Sequence, residues 1–245
     1  MQTNCGGFAL AVKTKEPIKT VETSSKIETV VQLLESEFGI PNWRRKDPLD
    51  ELILTILSQN TNDRNRDNGY VRLRNQFPTW AEVLDAPISA IEEAIRPAGL
   101  SNQKSTSIKG ALAWVKERFG SLSLQGLRSL ENDEVIQWLT SQKGVGVKTA
   151  AVLLAFSLDR DLCPVDTHVH RIALRLGWVK EGTSAEKTFT AIRSSMPEGK
   201  AASFHLNLLK FGRTICTARS PKCEVCPLWD DCQYLEKKPQ PFKVS

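Results

Sequence analysis

The chain has 245 residues, with 33 Lys plus Arg against 28 Asp plus Glu, a formal net charge of +5. It is 40% hydrophobic and 25% charged, an ordinary globular composition at a length that suits one large domain or two small ones. No run of about 18 apolar residues occurs, which excludes a transmembrane helix, and residues 1–25 lack the charged and apolar regions of a secretory signal. A cytoplasmic protein without membrane contact is expected.

The first residues, 1–24, are rich in Thr, Ser and Lys and are expected to form a flexible tail. From Lys26 to Phe38 the set Ile27, Val30, Val31, Leu34 and Phe38 has helical spacing, with Gly39 as the stop. A basic loop follows, from Pro41 to Pro48, carrying Arg44, Arg45 and Lys46. Leu49–Ser58 is a strongly apolar helix. Further helices are expected over Asp63–Gln76, Thr79–Ala86, Ile88–Ile95, Gln103–Phe119, Asn132–Ser141, Lys148–Leu158, Thr167–Leu176, Ala185–Ser195 and Ala202–Thr214. The breaks between them carry Pro and Gly, and no stretch shows the period-two alternation of a strand. The fold class read from this pattern is all-α.

The segment Gln142-Lys143-Gly144-Val145-Gly146-Val147-Lys148 joins two of these helices. Two glycines around one apolar residue permit a tight turn, and Val145 can pack inward to hold it. Free N–H groups of such a turn, at a helix start, can bind phosphate without reading sequence. Gly-x-Gly alone favours a plain interhelical turn, and its context favours the phosphate-binding reading. Lys148 stands where the second helix begins. The positive helix end and burial both lower the pKa of a lysine there, and a neutral lysine is a nucleophile. A phosphate-binding lysine is the blander reading. Farther on, Pro164-Val165-Asp166-Thr167 places Asp166 at a helix N-cap. Beyond capping, a carboxylate held there could stabilise developing positive charge and help a lysine lose its proton. His168 and His170 point to different sides of the helix and are read as local hydrogen-bonding groups, not as a metal pair.

Of six cysteines, four lie in the last thirty residues, as Cys216-x6-Cys223-x2-Cys226-x5-Cys232. Four close thiols suit structural zinc or an iron–sulfur cluster, and spacing alone leaves both open. The loop between the first two carries Arg219 and Lys222, placed to meet phosphates. Cys5 and Cys163 are read as bystanders. From Ser141 to Lys222 there are 13 Lys or Arg against 6 Asp or Glu, a net +7, while the remainder carries −2. The basic face therefore belongs to the second half.

The hairpin Lys143–Ala150, the segment Pro164–Arg171 and the cysteine run together resemble the endonuclease III family, within the helix-hairpin-helix DNA glycosylase superfamily, over roughly Lys26 to Tyr234. The resemblance implies two helical domains with the active site in the cleft between them. One is a six-helix barrel holding the hairpin, residues 49–159. The other is a discontinuous iron–sulfur domain, residues 25–48 and 160–235, followed by a C-terminal tail, 236–245. It implies Lys148 as the lysine that attacks the sugar C1′ and Asp166 as the catalytic aspartate. Cys216, Cys223, Cys226 and Cys232 become the ligands of a [4Fe–4S] cluster. Gln59 and Asn60 would fill the gap left by an extruded base, and Lys143, Gly144, Val145 and Gly146, with Arg219 and Lys222, would meet DNA.

The chain departs from the family pattern at Lys143, where Pro is common, at Asn60, where Gln is frequent, and at Phe211, where many members have His. The run Arg171–Val179 also resembles the plant 5-methylcytosine glycosylases. The implied activity is a base-excision-repair glycosylase and AP lyase for oxidised pyrimidines, acting as a monomer on damaged or abasic double-stranded DNA in the nucleoid-containing cytoplasm. A mismatch, uracil or other-base glycosylase on the same scaffold and a non-catalytic DNA-binding module are the alternatives.

Overall fold

Leu49, Leu52, Ile53, Ile56 and Leu57 recur at helical spacing, and all five are buried. Each contributes about 1.5–3 kcal/mol of burial free energy, so the helix that bears them sits inside the fold rather than on it. The computed structural model describes residues 20–238, among which there are eleven α-helices and no strand. They are α1 (Thr20–Phe38), α2 (Pro48–Ser58), α3 (Asp63–Gln76), α4 (Trp80–Asp85), α5 (Ile88–Ile95), α6 (Ser101–Phe119), α7 (Asn132–Thr140), α8 (Val147–Phe156), α9 (Thr167–Arg175), α10 (Ala185–Arg193) and α11 (Ala201–Thr214). None is long and apolar enough to cross a membrane.

Every helix expected from periodicity is present, with shifts at the ends. The first begins at Thr20 rather than Lys26, so the last residues of the expected tail are helical. The earlier part of that tail, including Cys5, lies outside the described residues, as do the last residues of the C-terminal one. The sixth begins at Ser101, after Leu100 takes a left-handed conformation (φ 48°) that turns the chain into it. Short 3-10 turns at Gln125–Ser129 and Cys223–Val225 carry no apolar periodicity and were not anticipated.

Two groups of neighbours result. Helix α2 packs against α3, α6 and α8, and α3, α4, α5 and α6 close around it, with α7 on α8. Helices α1, α9, α10 and α11 form the second group, and α11 meets α8 where the two groups join. Asp47 caps α2 by accepting from the Leu49 amide at 2.9 Å, and Pro48 opens the helix. The far end of α2 is tied down by Lys104, 2% exposed, whose Nζ donates to the carbonyls of Leu57 (2.8 Å) and Ala98 (2.7 Å). A buried ammonium is tolerated because two carbonyls replace its water.

Candidate active site and cysteine centre

The hairpin is built as its residues dictate. Val145 is buried, its N–H donates to the Gln142 carbonyl at 3.0 Å, and Gly144 takes φ +87°. A side chain at Gly144 would be strained by that angle and would meet Ser107. Gly146 is the N-cap of α8 and no side chain caps that helix. Its first amides are therefore available to an anion, the arrangement that binds phosphate at a helix start. Lys143, Gly144 and Gly146 are exposed around this turn.

Lys148, in the first turn of α8, is half-buried. Burial is the largest influence on its ammonium and lowers its pKa below the ordinary lysine range; Asp166 and Glu51 pull it back up and Arg66 pushes it down. The net direction is the one the sequence implied. Asp166 caps α9, accepting from the Val169 amide at 2.8 Å. It is thus both a cap and a charge acting on Lys148. The turn before it is held from beneath by His205 of α11, 4% exposed, with Nδ1 2.8 Å from the Pro164 carbonyl. That imidazole lies against Phe156, with ring centroids 5.7 Å apart, and Phe156 meets Trp43 edge-on at 6.0 Å.

Burial holds the His205 pKa down to about 4, so the ring is neutral at physiological pH. Its folded pKa lies below its unfolded one, so the unfolded chain binds the extra proton between the two values. Stability is then lost as pH falls from about 6.5 towards 4, by on the order of a few kcal/mol. Urea unfolding midpoints should drop across that window in the native protein and drop less in His205→Gln; equal slopes would show that another group governs the acid limit.

Three further charges act on Lys148 that the sequence reading did not single out: Glu51, Arg66 and Asp63. Glu51 of α2 lies 3.8 Å from Lys46. Asp63 at the start of α3 joins Arg66 (3.0 Å) to Arg213 of α11 (2.9 Å), linking the two helix groups. Residue type and spacing could not expose these, since each charge reads as a solvated helix position until packing sets it beside the lysine. Gln59 and Asn60 lie at the end of α2, both exposed. Gln59 donates to the Gly144 carbonyl at 3.2 Å, tying this segment to the hairpin, and Asn60 takes φ +50°. The cap of α3 is Asn62, which accepts from the Asn65 amide.

His168 and His170 find local partners, Arg171 (3.1 Å) and Thr188 (2.9 Å). Cys163 is buried, and burial raises its thiol pKa far above the usual range, which suits a packing residue.

The other four cysteines line one small, partly open pocket. Four thiols and no other ligand type around one shared space fit a multi-iron cluster in which each sulfur binds a different iron. Two arginines of α9 clamp this region. Arg171 donates to the carbonyls of Gly212 (3.0 Å) and Cys216 (2.8 Å). Arg175 donates to the Cys216 sulfur (3.2 Å) and the Thr217 carbonyl (2.8 Å), and stacks over Tyr234. Gly212 permits the close crossing, since a Cβ there would come within 2.9 Å of His168. One short helix therefore presents Asp166 at its start and fastens the cysteine loop along its length. Arg219 and Lys222 are exposed on that loop.

Comparison with known proteins agrees with this geometry. Residues 53–198 match the sequence model of the HhH-GPD superfamily base excision DNA repair proteins, and residues 216–232 match the iron–sulfur binding domain of endonuclease III. The chain is 32% identical over 197 residues to an endonuclease III of Thermotoga maritima, covering 80% of this chain and 88% of that one. It is 38% identical over 190 residues to an Arabidopsis thaliana protein provisionally named a DNA glycosylase, covering 75% of this chain and 64% of the relative. A solved structure of a trapped endonuclease III–DNA covalent intermediate superposes with a TM-score of 0.75 at 26% identity, covering 86% of this chain and 95% of that one.

Proposed function

The chain belongs to the HhH-GPD superfamily of base excision DNA repair proteins and carries the iron–sulfur motif of endonuclease III, and from that premise we propose that it is a bifunctional DNA glycosylase and AP lyase for oxidised pyrimidines. The observation that carries this reading is the juxtaposition of a lysine whose pKa is lowered, a capping aspartate whose charge acts on it, and the uncapped helix start that bears the lysine.

The hairpin amides, Lys143 and the exposed Arg219 and Lys222 hold one strand of double-stranded DNA by its phosphates. The damaged nucleotide leaves the stack at a cost of about a few kcal/mol. Asn60, at the exposed tip, fills the vacated space, with Gln59 bracing the tip against the hairpin. Lys148 attacks C1′ as its neutral amine, while Asp166 offsets the positive charge that develops as the base departs. The resulting imine acidifies the C2′ hydrogen, and β-elimination cleaves the strand. Cys216, Cys223, Cys226 and Cys232 would hold a [4Fe–4S] cluster, one thiolate to each iron, whose contribution is to pin the C-terminal loop. The two helix groups support a division into a barrel over 49–159 and a cluster domain over 25–48 and 160–235. We read the active species as a monomer working where the chromosome lies.

The test is borohydride reduction during reaction with duplexes that each carry one lesion: an abasic site, thymine glycol, dihydrouracil, uracil, 8-oxoguanine or 5-methylcytosine. A covalent protein–DNA adduct on abasic DNA and excision of the two oxidised or reduced thymine and uracil derivatives are expected. No adduct would remove the lyase assignment, and excision confined to uracil would move the substrate to the mismatch class.

A further inference from the structure

Lys148 stands on a regular helix, but Asp166 does not. Residues 159–166 belong to no helix or strand, and Asp166 is the last of them. On one side the carboxylate is tied to α9 through the Val169 amide, at 2.8 Å. On the other side it is only as fixed as the backbone that delivers it. Pro164, two residues earlier, is buried and has no N–H, so its carbonyl is the one backbone group it can anchor by. His205 of α11 donates to that carbonyl from Nδ1 at 2.8 Å, across 41 positions of sequence. The Cys163 sulfur also approaches it, at 3.7 Å, but a thiol is a weak donor. The other contact of the imidazole is Phe156, the last residue of α8, with ring centroids 5.7 Å apart. Phe156 stands eight residues beyond Lys148 on that helix, about 12 Å along a stiff rod. One buried ring therefore touches both the far end of the lysine's helix and the turn that ends in Asp166. Being neutral, it has a single N–H, spent on Pro164, and adds no cation to compete with Lys148 for the Asp166 charge.

We propose that His205 is a positioning residue for base release: its hydrogen bond to the Pro164 carbonyl sets where the Asp166 carboxylate stands relative to α8. The inference rests on the roles given above to Lys148 and Asp166. His205 moves no proton in the reaction, and its effect is geometric. A fixed charge stabilises a transition state only from the right place, and a displacement of about 1 Å can cost on the order of 10²-fold in rate. Without the Nδ1–H donor, the buried Pro164 carbonyl loses its strong partner and the irregular segment before α9 shifts to find another. The Val169 cap then holds Asp166 to its own helix but not to the lysine's. The loss falls on the step in which Asp166 offsets positive charge, departure of the base. It spares imine formation at a preformed abasic site, where Lys148 acts with no base to expel.

Two single-turnover rates at saturating enzyme test this: release of thymine glycol from a duplex, and borohydride trapping on a duplex with a preformed abasic site. His205→Phe keeps an aromatic ring beside Phe156 and removes the N–H. It should release thymine glycol about 10- to 100-fold more slowly, with trapping within about twofold of the native protein. His205→Asn places an amide N–H near the position of Nδ1 and should recover most of that loss. His205→Ala, with neither ring nor donor, should not. Native release in His205→Phe would overturn the proposal. So would a fall of release and trapping in the same proportion, the mark of a residue that only holds the fold together. Should His205→Phe not fold, the other two variants decide, and an equal ratio of release to trapping in Asn and Ala would overturn it. A native protein that releases no thymine glycol would overturn the oxidised-pyrimidine reading, and this proposal with it.

Discussion

Lys148→Gln should give no covalent adduct on borohydride treatment and no cleavage at an abasic site, a loss on the order of 10³-fold or more in strand incision. The same substitution should raise stability. Burial lowers the pKa of this lysine in the folded protein, so at neutral pH folding works against a charged amine that the unfolded chain leaves in water. The unfolded chain binds the proton more tightly, so this penalty is complete at neutral pH and lifts as pH rises from the folded to the unfolded pKa. Gln carries no such penalty. The variant should therefore melt above the native protein at pH 7, with the difference shrinking in the alkaline range. An adduct that survived in Lys148→Gln would point to another amine as nucleophile. A lower melting temperature would mean that the aliphatic stem of the lysine outweighs its charge. Gain of stability with loss of activity is the signature of a residue placed for chemistry at the expense of the fold.

Asp166→Asn separates the two roles that this position combines. Asn caps helices as well as Asp does, and its side-chain oxygen can keep the 2.8 Å bond from the Val169 amide, so the fold should be nearly unaffected. The charge is lost. Excision of a damaged base should fall by about 10²–10³-fold, the usual effect of removing a fixed group that offsets charge in a transition state. Imine trapping on a preformed abasic site should persist, because no base has to leave. Its pH optimum should move down, since Asp166 is one of the charges that raise the Lys148 pKa. Base release at the native rate would reduce Asp166 to a helix cap. Loss of both activities together with a lowered melting temperature would show that Asn fails to hold the turn.

The helices were legible because their causes are local. In α2 the five buried aliphatics recur at i, i+3, i+4, i+7 and i+8, and in α9 the buried Val169, Ile172 and Ala173 mark the inward face. The hairpin was legible because Gly144 has the one residue type that takes φ +87° without strain. The cysteine run was legible as a metal-binding pattern, though its spacing did not separate zinc from iron–sulfur; the family match does that. The basic surplus of the second half includes exposed Lys143, Arg219 and Lys222, but two of its arginines are committed inside the fold. Arg171 and Arg175 look like the solvated side of an amphipathic helix, yet they clamp the cysteine loop.

What the sequence alone determined, then, is the set of parts: eleven helices, a glycine-flanked turn, a lysine at a helix start, an aspartate at a helix cap and four thiols in one short segment. Each is specified by the conformational preferences and periodicity of neighbouring residues. The tertiary structure decided how those parts act on one another. It brings Gln59 to the Gly144 carbonyl across 85 positions and seats Lys104 on the end of α2 across 47. It also surrounds Lys148 with Glu51, Asp63, Arg66 and Asp166. The physical reason is range along the chain. Helix and turn preferences reach only a few residues, whereas desolvation and Coulomb forces depend on distance in space, and packing alone sets that distance.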